Sequence, residues 1–273
     1  MLVPFFKISR PRFWPYLFGP FIIGLTSANN YSNWWLLIIF GIYFSFPANL
    51  LIYGVNDIFD YETDKVNPKK QSYETLLDPV QQKSLSKLIL LLNLPVLALA
   101  PLMPLAAFLS LLGFWFFGVF YSSPPIRAKI KPFLDSFFNI LYIFPALVSY
   151  GLVTGEFPSP VIIISATLWC MAMHAYSAVP DIESDRKAKI STIATVLGSK
   201  LTLIFCFGAY IGSAILTYQW LGVFSVFAGL VYGLMVIISL LQQAKIFNLY
   251  KIFPYINLGL GAGLFFWIEL VVK

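Results

Sequence analysis

A group of three aspartates stands directly after a long apolar run, in a pattern suited to metal binding. The run covers residues 34–54, and Asp57, Asp60 and Asp64 follow at positions i, i+3 and i+7. If the helix continues through them, a rotation of about 100° per residue keeps the three carboxylates within roughly 60° of one another. Such carboxylates repel each other and also meet the negative end of the helix dipole. The sequence therefore predicts a cation beside them.

A second acidic group, Asp181 and Asp185, occupies the same place relative to another apolar run, residues 161–179. Its i, i+4 spacing puts both side chains on one helix face. Magnesium binds through one or two carboxylates together with phosphate oxygens and water. Two such faces beside basic residues predict Mg²⁺ ions that bridge the protein to a phosphorylated substrate. The alternative, for any single acid, is a solvated loop residue.

The loop Tyr-Ser-Ser-Pro-Pro-Ile-Arg-Ala-Lys, residues 121–129, supplies the complementary charge. Arg127 and Lys129 can neutralise a leaving diphosphate, and Tyr121 can donate a hydrogen bond to it or face a developing cation. In a second interpretation, the basic residues of this loop only follow the positive-inside rule and set the orientation of the neighbouring helices in the membrane. The two interpretations are compatible.

The chain has a single histidine, His174, seven residues before Asp181 and so on nearly the same helix face. It either hydrogen-bonds a neighbouring helix or lies deeper than the metal site, where it orients an acceptor or takes a proton. Asn49 and Tyr53 occupy the corresponding face of the earlier helix. The same two interpretations apply to them.

The composition requires a lipid environment around most of the chain. Of 273 residues, 59% are hydrophobic and 11% are charged, whereas a globular domain carries about 25% charged residues. The net charge of +6 does not indicate nucleic-acid binding, because the basic residues concentrate in loops on one side. Cys170 and Cys206 lie inside apolar runs without disulfide or zinc spacing and are interpreted as core residues.

Apolar runs of about 17 to 23 residues predict an all-α polytopic membrane protein with nine transmembrane helices. They are placed near residues 13–28, 34–56, 84–100, 102–121, 133–152, 160–179, 201–218, 221–242 and 252–271. The third and fourth predicted helices are either two helices separated by a turn or one irregular, kinked segment, because this region contains Pro95, Pro101 and Pro104. The longer polar connections are expected at 57–83, 122–132 and 180–200.

The distribution of charge predicts the orientation. With the N-terminus and the acidic loops in the cytoplasm and the C-terminus outside, every lysine and arginine except Lys273 lies on the inner face. Helix 2 and its acidic loop recur as helix 6 and its acidic loop, which favours a four-plus-four pseudo-repeat with a ninth helix added. The whole chain, 1–273, is interpreted as a single transmembrane domain.

Three motifs together resemble those of the UbiA superfamily of intramembrane prenyltransferases: N-D-x-x-D-x-x-x-D, Y-S-x-P-P-x-R-x-K and D-x-x-x-D. The resemblance implies nine helices around a central cavity, Mg²⁺ held by the two aspartate motifs, and transfer of an isoprenyl group from its diphosphate to a lipophilic acceptor. Carried over by position, the residues that would serve magnesium and diphosphate are Asn56, Asp57, Asp60, Asp64, Asp181 and Asp185. Those that would hold the phosphates are Lys65, Arg127 and Lys129, assisted by Arg10.

Within the superfamily, residues 61–70 and 174–185 look most like the lycopene elongase branch, which adds a five-carbon unit from dimethylallyl diphosphate to a carotenoid end. The quinone branches, which prenylate an aromatic acceptor, are the alternative. Glu183 either joins the metal site or faces water.

A secondary transporter is the alternative from another functional class. The acids cluster at helix ends and the span interiors are interpreted as free of Asp, Lys and Arg, which favours the enzyme. The sequence contains no P-loop, H-E-x-x-H or G-x-S-x-G motif.

Overall fold

The computed structural model of the chain describes residues 3–28, 34–61 and 78–273. Within these ranges, eight helical segments are long and apolar enough to cross a membrane, and a shorter apolar helix, Pro15–Thr26, makes a ninth. The eight are Trp34–Phe59, Val80–Leu102, Leu105–Ser122, Leu134–Thr154, Pro160–Lys187, Ile193–Leu221, Val223–Leu241 and Gln243–Val272. The predicted all-α polytopic membrane fold is confirmed, and the chain is an integral membrane protein.

The α-helices are numbered along the chain from α1 to α13. Their bounds are α1 Val3–Ile8, α2 Pro15–Thr26, α3 Trp34–Ser45, α4 Pro47–Phe59, α5 Pro79–Asn93, α6 Leu105–Ser122, α7 Leu134–Phe137, α8 Phe144–Thr154, α9 Pro160–Ala178, α10 Ile182–Lys187, α11 Ile193–Leu221, α12 Val223–Leu241 and α13 Ile246–Trp267.

The third and fourth predicted spans are two segments, so the alternative of one irregular segment is wrong. The third span is α-helical only as far as Asn93 and continues as the 3₁₀ segment Leu94–Leu102. Pro95 and Pro101 each lack the N–H that an α-helical turn would use. Met103 is extended, and α6 begins after Pro104.

One predicted connection contains helix instead. Residues 180–200 were expected to be a polar loop, but α10 occupies part of them and α11 begins at Ile193, eight residues before the predicted start. Thr192 starts α11 early through a capping box: the Thr195 N–H donates to Thr192 Oγ1, and the Thr192 N–H donates to Thr195 Oγ1 at 2.8 Å. Gly198, with φ of 73°, then kinks the helix.

The chain forms two compact units, and the first comprises Met1–Arg127 and Phe144–Phe157. Here α8 packs against both α2 and α6, and α4 packs against α5 and α6. Small residues allow the close approach: a Cβ added to Gly24 of α2 would overlap the backbone oxygen of Ala146 in α8. Buried polar groups are paired across helices, as where Ser149 Oγ donates to the Phe21 carbonyl at 2.7 Å.

The second unit comprises Ala128–Ile143 and Pro158–Lys273. Its centre is α11, which packs against α9 and α12. Tyrosines bury their rings here: Tyr210 and Tyr232 stack with centroids 4.3 Å apart, and the Tyr232 hydroxyl donates to Asn257 Oδ1. Each unit contains one apolar span that leads into one aspartate motif, Trp34–Phe59 in the first unit and Pro160–Lys187 in the second.

Candidate active site

The first aspartate motif is positioned by α4, which begins at a break in the second span. Pro47 is the first residue of α4 and has no backbone N–H to donate to the preceding turn. Asn49, which is fully buried, donates from Nδ2 to the carbonyls of Phe44 and Ser45 at 2.9 and 2.8 Å. The two Asn49 N–H groups are thus used by the backbone, and Oδ1 is buried without a hydrogen-bond partner among the described residues.

Asp57 lies in the last turn of α4 and is paired with Arg10. The Asp57 side chain is 6% exposed, and its Oδ1 accepts a hydrogen bond from Arg10 Nη2 at 3.0 Å. Arg10 adopts a left-handed backbone conformation with φ of 50° immediately before Pro11. Its guanidinium also lies over the ring of Tyr53, 4.9 Å from the centroid. Since Tyr53 precedes Asp57 by four residues, both contacts come from one face of α4.

Asp60 is paired with the second arginine of the predicted site. The helix ends at Phe59 instead of continuing as expected, and Asp60 is its C-cap, with its N–H donating to the Asn56 carbonyl at 2.9 Å. Asp60 Oδ1 lies 3.7 Å from Arg127 Nη2. Arg127 also has a left-handed backbone, with φ of 46°, and its N–H donates to the Ser123 carbonyl. This turn directs the arginine back towards the end of α4.

A direct hydrogen bond joins the first aspartate motif to the basic loop. Asn56 Nδ2 donates to the buried Ser122 Oγ at 3.0 Å, at the C-terminal end of α6. Tyr121 precedes Ser122 in the same turn and is half-buried. The structure therefore brings together, within the first unit, five of the predicted residues: Arg10, Asn56, Asp57, Asp60 and Arg127. Asp64 and Lys65 lie outside the described residues.

The donor set at the end of α4 fits magnesium. Asp57 and Asp60 offer two carboxylates, and because Asn56 Nδ2 is used by Ser122, its Oδ1 is the amide atom left as a ligand. In the described parts of the chain, no three His, Cys, Asp or Glu side chains gather closely enough to hold a metal by themselves. Magnesium does not need such a cage, since it is bound through one or two carboxylates plus substrate phosphates and water. These residues would hold an ion that arrives with a diphosphate.

The second aspartate motif lies in the second unit. Asp181 ends the 3₁₀ segment Val179–Asp181 and is the N-cap of α10, with its side chain making no capping hydrogen bond. Asp181 and Asp185 are both half-buried, whereas Glu183 is exposed. Of the two interpretations of Glu183, its exposure favours the one in which it faces outward. Lys129 lies in the short 3₁₀ segment Ala128–Ile130 and is half-buried.

His174 has a partner that the sequence analysis did not name. Its Nε2 lies 3.5 Å from Oδ2 of Asp135, which is fully buried at the start of the fifth span. The expectation that span interiors hold no aspartate is therefore wrong at this position. A signal was present, because Asp135 is an isolated acid in the apolar stretch 133–144. Its contact with a histidine some forty residues later depends on tertiary packing.

Comparison with known proteins identifies a family. Residues 13–252 match the UbiA prenyltransferase family. A lycopene elongase/hydratase from Haloarcula japonica is 36% identical over 264 residues, which cover 93% of this chain and 87% of that protein. One from Haloferax volcanii is 39% identical over 217 residues, 76% of this chain and 69% of that protein.

A solved structure extends the likeness to the fold. A UbiA homolog from Archaeoglobus fulgidus bound to DMAPP and Mg²⁺ superposes with a TM-score of 0.69 at 17% identity. The superposition covers 94% of this chain and 99% of that one.

Proposed function

Because the chain belongs to the UbiA prenyltransferase family, it is a membrane prenyltransferase, and we propose that it transfers a dimethylallyl group from its diphosphate to a carotenoid such as lycopene. The reaction is proposed to require Mg²⁺. Family membership decides against the secondary transporter. The donor, the metal and the acceptor go beyond the family assignment, and each has its own support.

The observation that carries the proposal is the pairing of acids with arginines at the end of α4. Asp57 with Arg10, and Asp60 with Arg127, combine carboxylates for a metal ion with guanidiniums for phosphate. Guanidinium groups bind phosphate oxygens through paired hydrogen bonds, which a lone metal site would not need. The Archaeoglobus fulgidus homolog, with the same fold, binds DMAPP together with Mg²⁺.

In the proposed mechanism, these residues stabilise the charge that develops as the C–O bond of the donor breaks. Magnesium, when bound, would neutralise part of the negative charge on the diphosphate. Its proposed ligands are Asn56, Asp57, Asp60, Asp64, Asp181 and Asp185. Arg10, Lys65, Arg127 and Lys129 would bind the phosphate oxygens, and Tyr121 would donate a hydrogen bond to them or face the allylic cation. Asn49 and His174 are proposed to contact the acceptor.

The acceptor is proposed from the relatives. The Haloarcula japonica and Haloferax volcanii proteins are named as lycopene elongase/hydratases. Both proteins match this chain over most of its length. A carotenoid end offers an electron-rich alkene to the allylic cation, and the apolar surroundings of the spans keep water away from that cation. The quinone-pathway alternative would use an aromatic acceptor.

The orientation is also a proposal. The positive-inside rule supports a cytoplasmic N-terminus and cytoplasmic acidic motifs, with the C-terminus outside. The family match over residues 13–252 supports one transmembrane prenyltransferase domain in the chain. Labelling of single cysteines introduced at either end, with a reagent that does not cross membranes, tests the orientation.

Product analysis tests the function. Membranes that contain the protein are supplied with labelled dimethylallyl diphosphate and Mg²⁺, together with lycopene in one reaction and an aromatic quinone precursor in another. We expect label in a carotenoid with one or two added five-carbon units. Label transferred only to the aromatic precursor would overturn the carotenoid assignment, and label in neither acceptor would overturn the donor as well.

A further inference from the structure

A buried aspartate, Asp135, connects the single histidine of the chain to the start of a long helix. Asp135 has no exposed surface, and its Oδ2 accepts a hydrogen bond from the Ile193 N–H at 2.9 Å. The same oxygen lies 3.5 Å from His174 Nε2. Asn139 Nδ2 donates to the Asp135 carbonyl at 2.6 Å and fixes the backbone behind it. All four residues belong to the second unit.

The position of Asp135 is set independently of the histidine. Ile193 is the first residue of α11, where N–H groups lack helical partners and the helix dipole is positive. A carboxylate at this point is therefore held by the helix N-terminus. Its other oxygen, Oδ1, is buried with no hydrogen-bond partner among the described residues. The described polar contacts of the carboxylate thus converge on Oδ2, the atom that faces His174.

The side chain of His174 is partly exposed, unlike that of Asp135. Its side chain is 19% exposed, whereas Asp135 is completely enclosed. Ionisable side chains within membrane spans face the protein interior or a cavity, because contact with lipid is costly. His174 also lies seven residues before Asp181, about 10 Å along the helix axis at 1.5 Å per residue. The imidazole is therefore placed between a fixed carboxylate and an accessible space deeper than the acidic motif of the same unit.

We infer that Asp135 is a positioning residue and that His174 is the proton acceptor in the last step of the reaction; the inference rests on the proposed function. A neutral imidazole carries one proton, and a carboxylate beside Nε2 favours the tautomer protonated there. Nδ1 is then the basic nitrogen. Asp135 also stabilises the imidazolium that forms when Nδ1 takes a proton, as a buried aspartate does for a catalytic histidine elsewhere.

The last step of the reaction ends either in elimination or in hydration. Attack by the acceptor alkene forms the new C–C bond and leaves positive charge on a carbon of the product. In elimination, a C–H bond on the adjacent carbon breaks, its electron pair forms a C=C bond, and the proton passes to His174 Nδ1. In hydration, the oxygen of a water molecule forms a C–O bond to the cation, and the proton lost by that oxygen passes to the same nitrogen. Solvent then removes the proton from the imidazolium.

The tautomer can be measured directly because the chain has one histidine. The full-length protein, purified through a tag without histidine and labelled with ¹⁵N-histidine, gives one pair of imidazole signals. We expect a protonated Nε2 and a bare Nδ1. In Asp135→Asn the amide oxygen can take the Oδ2 position, where it keeps the hydrogen bond from the Ile193 N–H, but it no longer carries the negative charge that favours a proton on Nε2. We therefore expect the population of the Nδ1-protonated tautomer to rise in Asp135→Asn. Protonation of Nδ1 in the wild-type protein, or equal tautomer populations in both proteins, would overturn the inference.

Product analysis separates this inference from the proposed function. In Asp135→Asn and His174→Gln we expect diphosphate release within a few-fold of wild type, while the prenylated acceptor falls by about a hundredfold or more, as for loss of a general base. Prenyl alcohol should accumulate in its place. Wild-type yields and product ratios in both variants would overturn the inference alone. Failure of the wild-type protein to prenylate the carotenoid would instead overturn the proposed function.

Tyr176→Phe is the matched control on the same helix. Tyr176 is buried two residues from His174, and its hydroxyl bonds to Ser239. Its loss removes a buried hydrogen bond without touching the Asp135–His174 pair. We expect a lower melting temperature with an unchanged ratio of products. If Tyr176→Phe changed the ratio as much as His174→Gln, the effect would be structural and the inference would fail.

Discussion

Truncation of Arg10 tests the acid–arginine pairing from which the site is built. Arg10→Ala removes the described hydrogen bond to Asp57 Oδ1 and the contact with the Tyr53 ring. Asp57 is 6% exposed, so water cannot fully hydrate its carboxylate once the Arg10 guanidinium has been removed. The variant should therefore be less stable even without any substrate. The matched control is Arg12→Ala, because Arg12 lies two residues away, is exposed, and also contacts a ring, that of Phe13.

The expected loss follows from the two contacts. A hydrogen bond to a charged group contributes about 1.5–3 kcal/mol, and a partly exposed cation–π contact contributes about 0.5–1 kcal/mol. Arg10 keeps 23% exposure, so water can enter after truncation and the loss should stay below the roughly 3–5 kcal/mol typical of a fully buried pair. We expect about 2–3 kcal/mol, which corresponds to a fall in melting temperature of about 4–12 °C for a chain of this size.

Thermal unfolding in one detergent at one scan rate measures the effect, and a double-mutant cycle assigns its cause. Adding Asp57→Asn to Arg10→Ala removes the unpaired buried charge, so the double variant should melt higher than Arg10→Ala alone. Arg12→Ala should melt as the wild-type protein does. The reasoning is refuted if Arg10→Ala melts with the wild type, or if Asp57→Asn lowers its melting temperature further.

Two further predictions concern packing and surface charge. Gly24→Ala should destabilise the protein by about 1–3 kcal/mol through overpacking, because the added methyl meets the Ala146 carbonyl and Ser149 Oγ. Gly19→Ala, where nothing lies within 4 Å, should be neutral or stabilising in the same melting assay. Lys245→Ala should leave both melting temperature and prenyl transfer unchanged, because Lys245 is exposed and outside the motifs. Loss of prenyl transfer in Lys245→Ala would show that the active site includes residues outside the three motifs.

The positions of the helices could be predicted because lipid imposes a length and an apolar composition on each span. What hydropathy could not indicate is backbone type and capping. Leu94–Leu102 is as apolar as an α-helix, and only its prolines distinguish it. Residues 182–187 are polar enough to resemble a loop, and residues 193–200 mix apolar and polar side chains ahead of the long apolar run. The Thr192 capping box that begins α11 is a local signal that a hydropathy scan does not detect.

The site was predictable to the extent that its residues are close in sequence. Asn56, Asp57 and Asp60 share a helix end, so their spacing indicated a common role. Their pairing with Arg10 and Arg127 joins residues 47 and 67 positions apart, and it depends on left-handed turns at both arginines. Asp135 was missed for the same reason, since its relation to His174 exists only once α7, α9 and α11 have packed.

The most direct test of the account is diphosphate release from labelled dimethylallyl diphosphate by wild-type, Asp60→Ala and Asp181→Ala proteins, each with Mg²⁺ and with EDTA. Both aspartates are half-buried at helix ends, so the melting temperature of each variant is measured first to establish that it is folded. We predict release by the wild type only with Mg²⁺, and a loss of about a hundredfold or more in each variant. Release that persists in EDTA, or wild-type rates in both folded variants, would contradict the claim that these carboxylates bind the metal and the diphosphate.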